Sequence, residues 1–176
     1  MNLRIAKIED LPSGELVLAT RTPNPNDADR WAIVVGTDKD EKFRYPEDEY
    51  GLLFFSSRED EIENVIMAYH VPVLATGAKV KILVDKTSIS QFRQQLPASE
   101  STESKLCVLA SGAYLFVQEK TSRPTHFDRS FFISVDGKAT PYDEMENRDK
   151  VARVTSWKWI PSNEAAVVLE DIHEPS

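Results

Sequence analysis

Acidic side chains are the most unevenly distributed chemical groups in this sequence of 176 residues. Residues 38–63, here called the acidic segment, hold ten carboxylates and four basic side chains, a net charge of −6 out of −8 for the chain. The ten acids are Asp38, Asp40, Glu41, Glu47, Asp48, Glu49, Glu59, Asp60, Glu61 and Glu63. Like charges at this density repel one another unless a partner relieves them. We therefore expect the acidic segment to bind a basic protein partner; a solvated surface without a partner is the alternative.

Carboxylates also bind metal ions, and the first acids are spaced like part of a calcium loop. Asp38 and Asp40 begin like an EF-hand loop, and Glu49 falls at its twelfth position. Phe43 occupies the position that requires glycine, and Pro46 lies inside the loop. These residues exclude an EF-hand site, and we expect no metal site; a carboxylate site of a different kind is the alternative. We also expect no cofactor.

Histidine and cysteine offer little for catalysis. The three histidines, His70, His126 and His173, show no metal-ligand spacing, and Cys107 lies in an apolar run where a thiol acts as a small hydrophobe. His126 precedes Asp128 by two residues, an arrangement that suits a general base, yet Asp128 belongs to a repeated loop element. Phosphate-binding and nucleophile-elbow motifs are missing from the sequence. We expect no catalytic residues.

Two tryptophans offer a different kind of site. Trp157 and Trp159 lie two residues apart, so on a strand their side chains share a face. Next to Arg153 they would stack a nucleic-acid base or a sugar ring. Aromatic side chains of small β proteins also pack in cores. Stacking of a small ligand and core packing both remain open at this pair.

The composition is typical of a folded, soluble protein, with 41% hydrophobic and 28% charged residues. No apolar run approaches the roughly 20 residues of a membrane span. One cysteine cannot form an internal disulfide, so we expect a cytoplasmic protein. The net charge of −8 makes direct nucleic-acid binding unfavourable, because that binding depends on basic side chains.

Apolar alternation and glycine turns predict a mostly β protein. The predicted strands are 2–8, 15–21, 31–37, 51–56, 71–76, 79–85, 105–110, 113–119, 130–135, 138–142, 151–160 and 165–171. Thr76-Gly77, Ser111-Gly112 and Asp136-Gly137 predict hairpin turns, since glycine supplies the positive φ that tight turns need.

One helix is predicted over residues 58–70. Ser57 would cap its N-terminus, and Ile62, Val65, Ile66 and Tyr69 recur with helical spacing. The acids of its first turn also suit the helix dipole.

Three segments of the first half resemble segments of the second half. They are residues 13–19 and 111–117, 25–30 and 124–129, and 80–85 and 166–171, at offsets of 98, 99 and 86. Residues 97–104 have the composition of an exposed linker. We therefore predict two small, related, β-barrel-like (SH3-like) units, residues 1–96 and 105–176, packed together, with the helix inserted in the first; chance similarity is the alternative.

The segments Gly14–Leu18 and Arg30–Gly36 resemble the opening of the MazF/PemK-type toxin ribonucleases. The resemblance implies an SH3-like barrel and RNA cleavage. In that hypothesis Arg21, Arg30 and Arg129 would bind phosphates, and His126 would be the base.

The hypothesis that best unites these features is a non-enzymatic interaction protein. It would be an inhibitor, immunity or accessory subunit that docks a basic partner, such as a nucleic-acid-binding machine, through the acidic segment. An RNA-processing enzyme and a small-ligand-binding module around Trp157 and Trp159 are the alternatives.

Overall fold

The computed structural model describes residues 2–19, 30–37, 51–55, 62–66, 72–92, 105–109, 111–119, 129–148, 150–164 and 167–169. The strands in these ranges are β1 (Arg4–Ala6), β2 (Leu16–Ala19), β3 (Arg30–Val34), β4 (Gly36–Thr37), β5 (Leu52–Phe55), β6 (Ile62–Ile66), β7 (Val73–Ala75), β8 (Lys79–Val84), β9 (Lys105–Leu109), β10 (Gly112–Glu119), β11 (Arg129–Ile133), β12 (Lys138–Pro141), β13 (Ala152–Arg153), β14 (Trp157–Ser162) and β15 (Val167–Leu169). The short 3₁₀ turns are Ile8–Asp10, Lys86–Ser88 and Tyr142–Glu144. The expectation of a mostly β protein is confirmed.

The strands form three sheets. Sheet I has the order β1-β7-β2-β3-β5-β6, sheet II the order β13-β9-β10-β11-β12-β4, and sheet III the order β14-β8-β15. Neighbouring strands are antiparallel except for the parallel pairs β12–β4 and β8–β15. Each of the twelve predicted strands overlaps at least one observed strand.

The two expected SH3-like barrels are not observed among the described strands, which form open sheets. The reason is that strands from the first half of the chain pair with strands from the second half. β4, from the first half, lies at the edge of sheet II, and β8 lies between β14 and β15 from the second half. β8 therefore pairs across the halves and does not close the first one.

The predicted helix over 58–70 is wrong where the structure describes it. Residues Ile62–Ile66 form β6, which pairs with β5 in antiparallel orientation. Ile62, Val65 and Ile66 are β-branched and favour extended backbone, and β5 offers them a strand edge. The rest of the predicted helix lies outside the described residues.

Two of the three predicted hairpin turns are confirmed. β9 and β10 form a hairpin in which Ser111 lies in the connection and Gly112 is the first residue of β10, paired with Leu109. Asp136-Gly137 lies between β11 and β12. Thr76-Gly77 instead carries the chain from sheet I to sheet III, since β7 and β8 do not pair. Oγ1 of Thr76 donates to the carbonyl of Leu16 (2.6 Å) and accepts from the amide of Ala78 (3.0 Å). These bonds hold the bend in place of hairpin pairing.

All three sheets contribute to one buried cluster, here called the central core. Its largest aliphatic members include Leu16 and Ile33 from sheet I, Ile82 from sheet III, and Leu115 and Ile133 from sheet II. Both halves of the chain therefore share one core, which offsets the small apolar burial available to a unit of this size.

Sheets I and II are also covered on their outer faces. On sheet I, Val17, Val34 and Phe54 pack beneath Ile8 and Leu11. On sheet II, the outer cluster comprises Cys107, Leu109, Phe116, Phe132, Met145 and Val151. Strands buried on both faces need no alternating pattern, which explains the continuous apolar run of β5.

The structure displaces the internal alignment by one residue. An offset of 98 matches Leu16 with Tyr114, yet Leu16 lies in the central core and Tyr114 packs on the outer cluster of sheet II. The corresponding cross-strand pairs are Leu16–Ile33 and Leu115–Ile133, all four in the central core. A slip of one residue exchanges the faces of a strand, so the pairs align at offsets of 99 and 100. Duplication itself stays a hypothesis.

The two halves come into close backbone contact at Gly14 and Gly137. Both have positive φ, +88° and +78°. The amide of Gly14 donates to Val34 O, and that of Gly36 to Gly137 O, each at 2.7 Å. A Cβ atom on Gly137 would overlap the backbone of Gly14 and Val34, so only glycine fits.

The substitution Gly137→Ala should lower the free energy of unfolding by about 3 kcal/mol or more, because left-handed strain adds to backbone overlap. Gly77→Ala is the matched control, since Gly77 has φ +69° but open space around its Cβ position. The free energy of unfolding of this control should fall by only about 1–2 kcal/mol. Urea unfolding followed by circular dichroism measures both, and equal losses would contradict the contact.

Candidate functional site

The first part of the acidic segment begins and ends at one point of the fold. β4 immediately precedes it and pairs with β12 of sheet II. The amide of Val35 donates to the carbonyl of Gly51 (3.1 Å), which joins the two ends of the 38–50 connection. Its six candidate acids, Asp38, Asp40, Glu41, Glu47, Asp48 and Glu49, lie outside the described residues. What the structure establishes is the place where this connection is attached.

The second part of the acidic segment is attached to the other end of β5. Phe55 pairs with Ile62, so the connection carrying Glu59, Asp60 and Glu61 also begins and ends at one point. Those three acids lie outside the described residues, and of Glu63 only the backbone in β6 is described. β5 has four residues and spans about 10 Å between its terminal Cα atoms. Both connections are thus attached within reach of one ordinary protein interface.

β5 supplies a rigid base for both connections. Leu53 and Phe55 point into the central core, while Leu52 and Phe54 point into the outer cluster of sheet I. All four side chains are buried. A segment attached to fully packed strands has its ends fixed before any partner binds, which lowers the entropy cost of docking.

Trp157 and Trp159 share a face of β14, and that face lies in the central core. The Trp159 ring stacks on Phe55, with 4.5 Å between ring centroids, and contacts Trp31 edge-on at 6.0 Å. The expected neighbour Arg153 lies on β13 of sheet II instead, opposite Cys107. Core packing accounts for both indoles.

Trp159 carries an unusual polar group. Its Nε1 donor is buried and has no hydrogen-bond acceptor among the described residues. An unpaired buried donor costs about 1–3 kcal/mol. The apolar contacts of the indole must therefore outweigh this cost, which indicates a structural role in joining sheets III and I.

The side chains expected for RNA cleavage are not brought together by the described structure. The guanidinium of Arg30 lies over the ring of Phe54, 4.6 Å from its centroid. Only the backbone of Arg129 is described, and Arg21 and His126 lie outside the described residues. Cys107 is buried in the outer cluster of sheet II. In the described ranges no group of three or more His, Cys, Asp or Glu side chains could hold a metal ion.

The segments that resemble the toxin ribonucleases form β2 and β3, which are antiparallel neighbours paired at Leu16 and Ile33. Comparison with known proteins adds no relative: no protein-family model, no curated protein and no solved structure matches this chain. Across the described ranges, no helix has the length and apolar character needed to cross a membrane.

Sequence reasoning missed how the acidic segment is attached, although a signal was present. Gly36 and Gly51 bracket residues 38–50, and both are buried. Glycines on either side of a charged run indicate close backbone approach at its two ends. The Val35–Gly51 hydrogen bond is the tertiary contact that this pattern foreshadows.

The substitution Trp159→Ala should lower the free energy of unfolding by about 3–5 kcal/mol, because it opens a cavity beside Phe55. Lys158→Ala, on the opposite face of the same strand, is the control and should change stability by about 0.5 kcal/mol or less. Denaturant unfolding measures both. An unchanged midpoint for Trp159→Ala would contradict a core role and favour ligand stacking.

Proposed function

We propose that this protein is a non-enzymatic, cytoplasmic interaction module that docks a basic protein partner through the acidic segment. It acts as an inhibitor, immunity or accessory subunit of a partner such as a nucleic-acid-binding machine. The observation that carries the proposal is charge concentration: residues 38–63 hold −6 of the net charge of −8. A basic partner relieves the repulsion among these carboxylates on binding.

The attachment of the acidic segment supports this proposal. One connection, residues 38–50, ends just before the buried strand β5, and the other, residues 56–61, begins just after it. Carboxylates tied to a common rigid base can address one surface of a partner together. A concentrated negative potential steers a basic partner during encounter.

Long-range steering gives the proposed interaction a characteristic salt dependence. Exposed charges are screened beyond about 10 Å at 0.1 M salt. We therefore expect fast association at low salt and a marked loss of affinity at high salt. Direct binding of nucleic acid is not part of the proposal, because a chain with a net charge of −8 repels phosphates.

The triple substitution Glu47→Lys, Asp48→Lys and Glu49→Lys should weaken partner binding by roughly tenfold or more without unfolding the protein. The test is affinity capture from native lysate at low and high salt, with identification of the bound species. A basic protein retained at low salt, lost at high salt and lost with the triple variant would support the proposal. Binding of that protein to purified wild type then gives the affinity.

A matched control separates a local effect from a general effect of net charge. Asp143, Glu144 and Glu146 lie in the second half, and all three are exposed. Their triple reversal to lysine changes the net charge by the same amount and should leave binding nearly unchanged. Equal losses for both variants, or retained binding by the first, would remove the acidic segment as the docking site. Recovery of RNA in place of a protein would favour the ribonuclease hypothesis.

A further inference from the structure

Among the described strands, β1 forms the edge of sheet I opposite β6. β1 is the last strand there: it pairs with β7 on one side, and no described strand pairs with its other side. Its pairing shows no bulge, and the strand contains no proline. Bulges and prolines are two of the devices that protect strand edges from pairing with another chain; β1 keeps two others, its length of three residues and the exposed Arg4.

An apolar row runs across sheet I and ends at this edge. Consecutive cross-strand pairs link Trp31 to Leu18, Leu18 to Leu74, and Leu74 to Ile5. Paired residues of an antiparallel sheet lie on the same face, so the four side chains form one line. Trp31, Leu18 and Leu74 are half-buried, while Ile5 is 61% exposed. The most exposed member of the row thus lies on β1, at the edge of the described sheet.

We propose that β1 pairs with β1 of a second copy of this chain, antiparallel about a two-fold axis at Ile5. In this register the Ile5 side chains of the two copies are opposite each other. The apolar row then continues from one copy into the next, and the two sheets become one. The same pairing places Leu3, 46% exposed, opposite the aliphatic part of Lys7 of the second copy.

The symmetry of the strand favours a second copy over an unrelated partner. An antiparallel pair about a two-fold axis continues the arrangement of sheet I, whose neighbouring strands are all antiparallel. Arg4 faces Ala6 of the second copy, so no like charges are directly opposite. A register centred on Arg4 would place two guanidinium groups opposite each other, which is unfavourable. The register at Ile5 joins the exposed apolar residues and separates the cations.

The size of the contact sets the expected strength. A pair of three-residue strands with few side chains buries less than the roughly 1,000 Å² of a stable specific interface. We therefore expect reversible association, with a dissociation constant between about 10 µM and 1 mM.

The dimer edge is β1, whereas the acidic connections are attached at the ends of β5, next to the β6 edge. This inference therefore does not depend on the proposed function.

Analytical ultracentrifugation over a concentration series tests the inference. The wild-type mass should rise from the 19.9 kDa monomer towards twice that value as concentration increases. Ile5→Lys and Ile5→Glu should each weaken self-association by at least about tenfold, because two like charges then face each other. An equimolar mixture of these two variants should recover association as a heterodimer, since a lysine then faces a glutamate.

Phe92→Lys is the matched control. Phe92 is 59% exposed, nearly as much as Ile5, and lies outside the apolar row. This variant should dimerise like the wild type, and far-UV circular dichroism should show that all four proteins remain folded. A wild type that stays monomeric at about 1 mM, or an Ile5→Lys variant that dimerises normally, would overturn the proposal. A mixture that fails to associate would overturn the register.

Discussion

The contact between Gly14 and Gly137 brings the two halves of the chain so close that no Cβ atom fits between them. The hydrogen bond from Gly36 to Gly137 O lies at the same place and starts the parallel pairing of β4 with β12. Sheets I and II are thereby joined at their backbones, and their inner faces can share the central core with sheet III. The attachment of the acidic segment depends on the same contact, because Thr37 ends β4 and the segment begins at the next residue.

Local patterns predict most of the strands, because alternation and turn residues depend on short stretches of chain. β6 is an exception. Its β-branched residues have helical spacing but favour extended backbone, and pairing with the edge of β5 selects the strand over the helix. Local patterns also do not predict whether the sheets close into barrels. Val80, Ile82 and Val84 predict a half-buried strand correctly, yet nothing in that alternation shows that β8 pairs with β14 and β15 of the other half.

The candidate site, like the fold, could be predicted from the sequence only in part. A concentration of ten carboxylates is visible in the sequence, whereas the Val35–Gly51 hydrogen bond and the Phe55–Ile62 pair that anchor them are tertiary contacts. Trp159 shows most clearly what residue spacing alone does not predict. Two aromatic residues with a spacing of two share a face whether that face meets a ligand or a core. Only the contacts with Phe55 and Trp31 assign this indole to the core.

The two edges of sheet I differ in a way that bears on both proposals. Strand edges are protected by charge; β6 carries Glu63, and three further acids, Glu59 to Glu61, precede this strand. Protection of one short edge needs only a few charges, which accounts for the acids next to β6. The six acids of residues 38–50 directly follow β4, the two-residue edge strand of sheet II, and are more than so short an edge needs. β1 carries the cation Arg4 in place of acids, and its Ile5 is exposed at an edge with which no further described strand pairs. Charge at one edge favours encounter with a basic surface, and apolar exposure at the other favours strand pairing, so the same sheet can serve two contacts without competition between them.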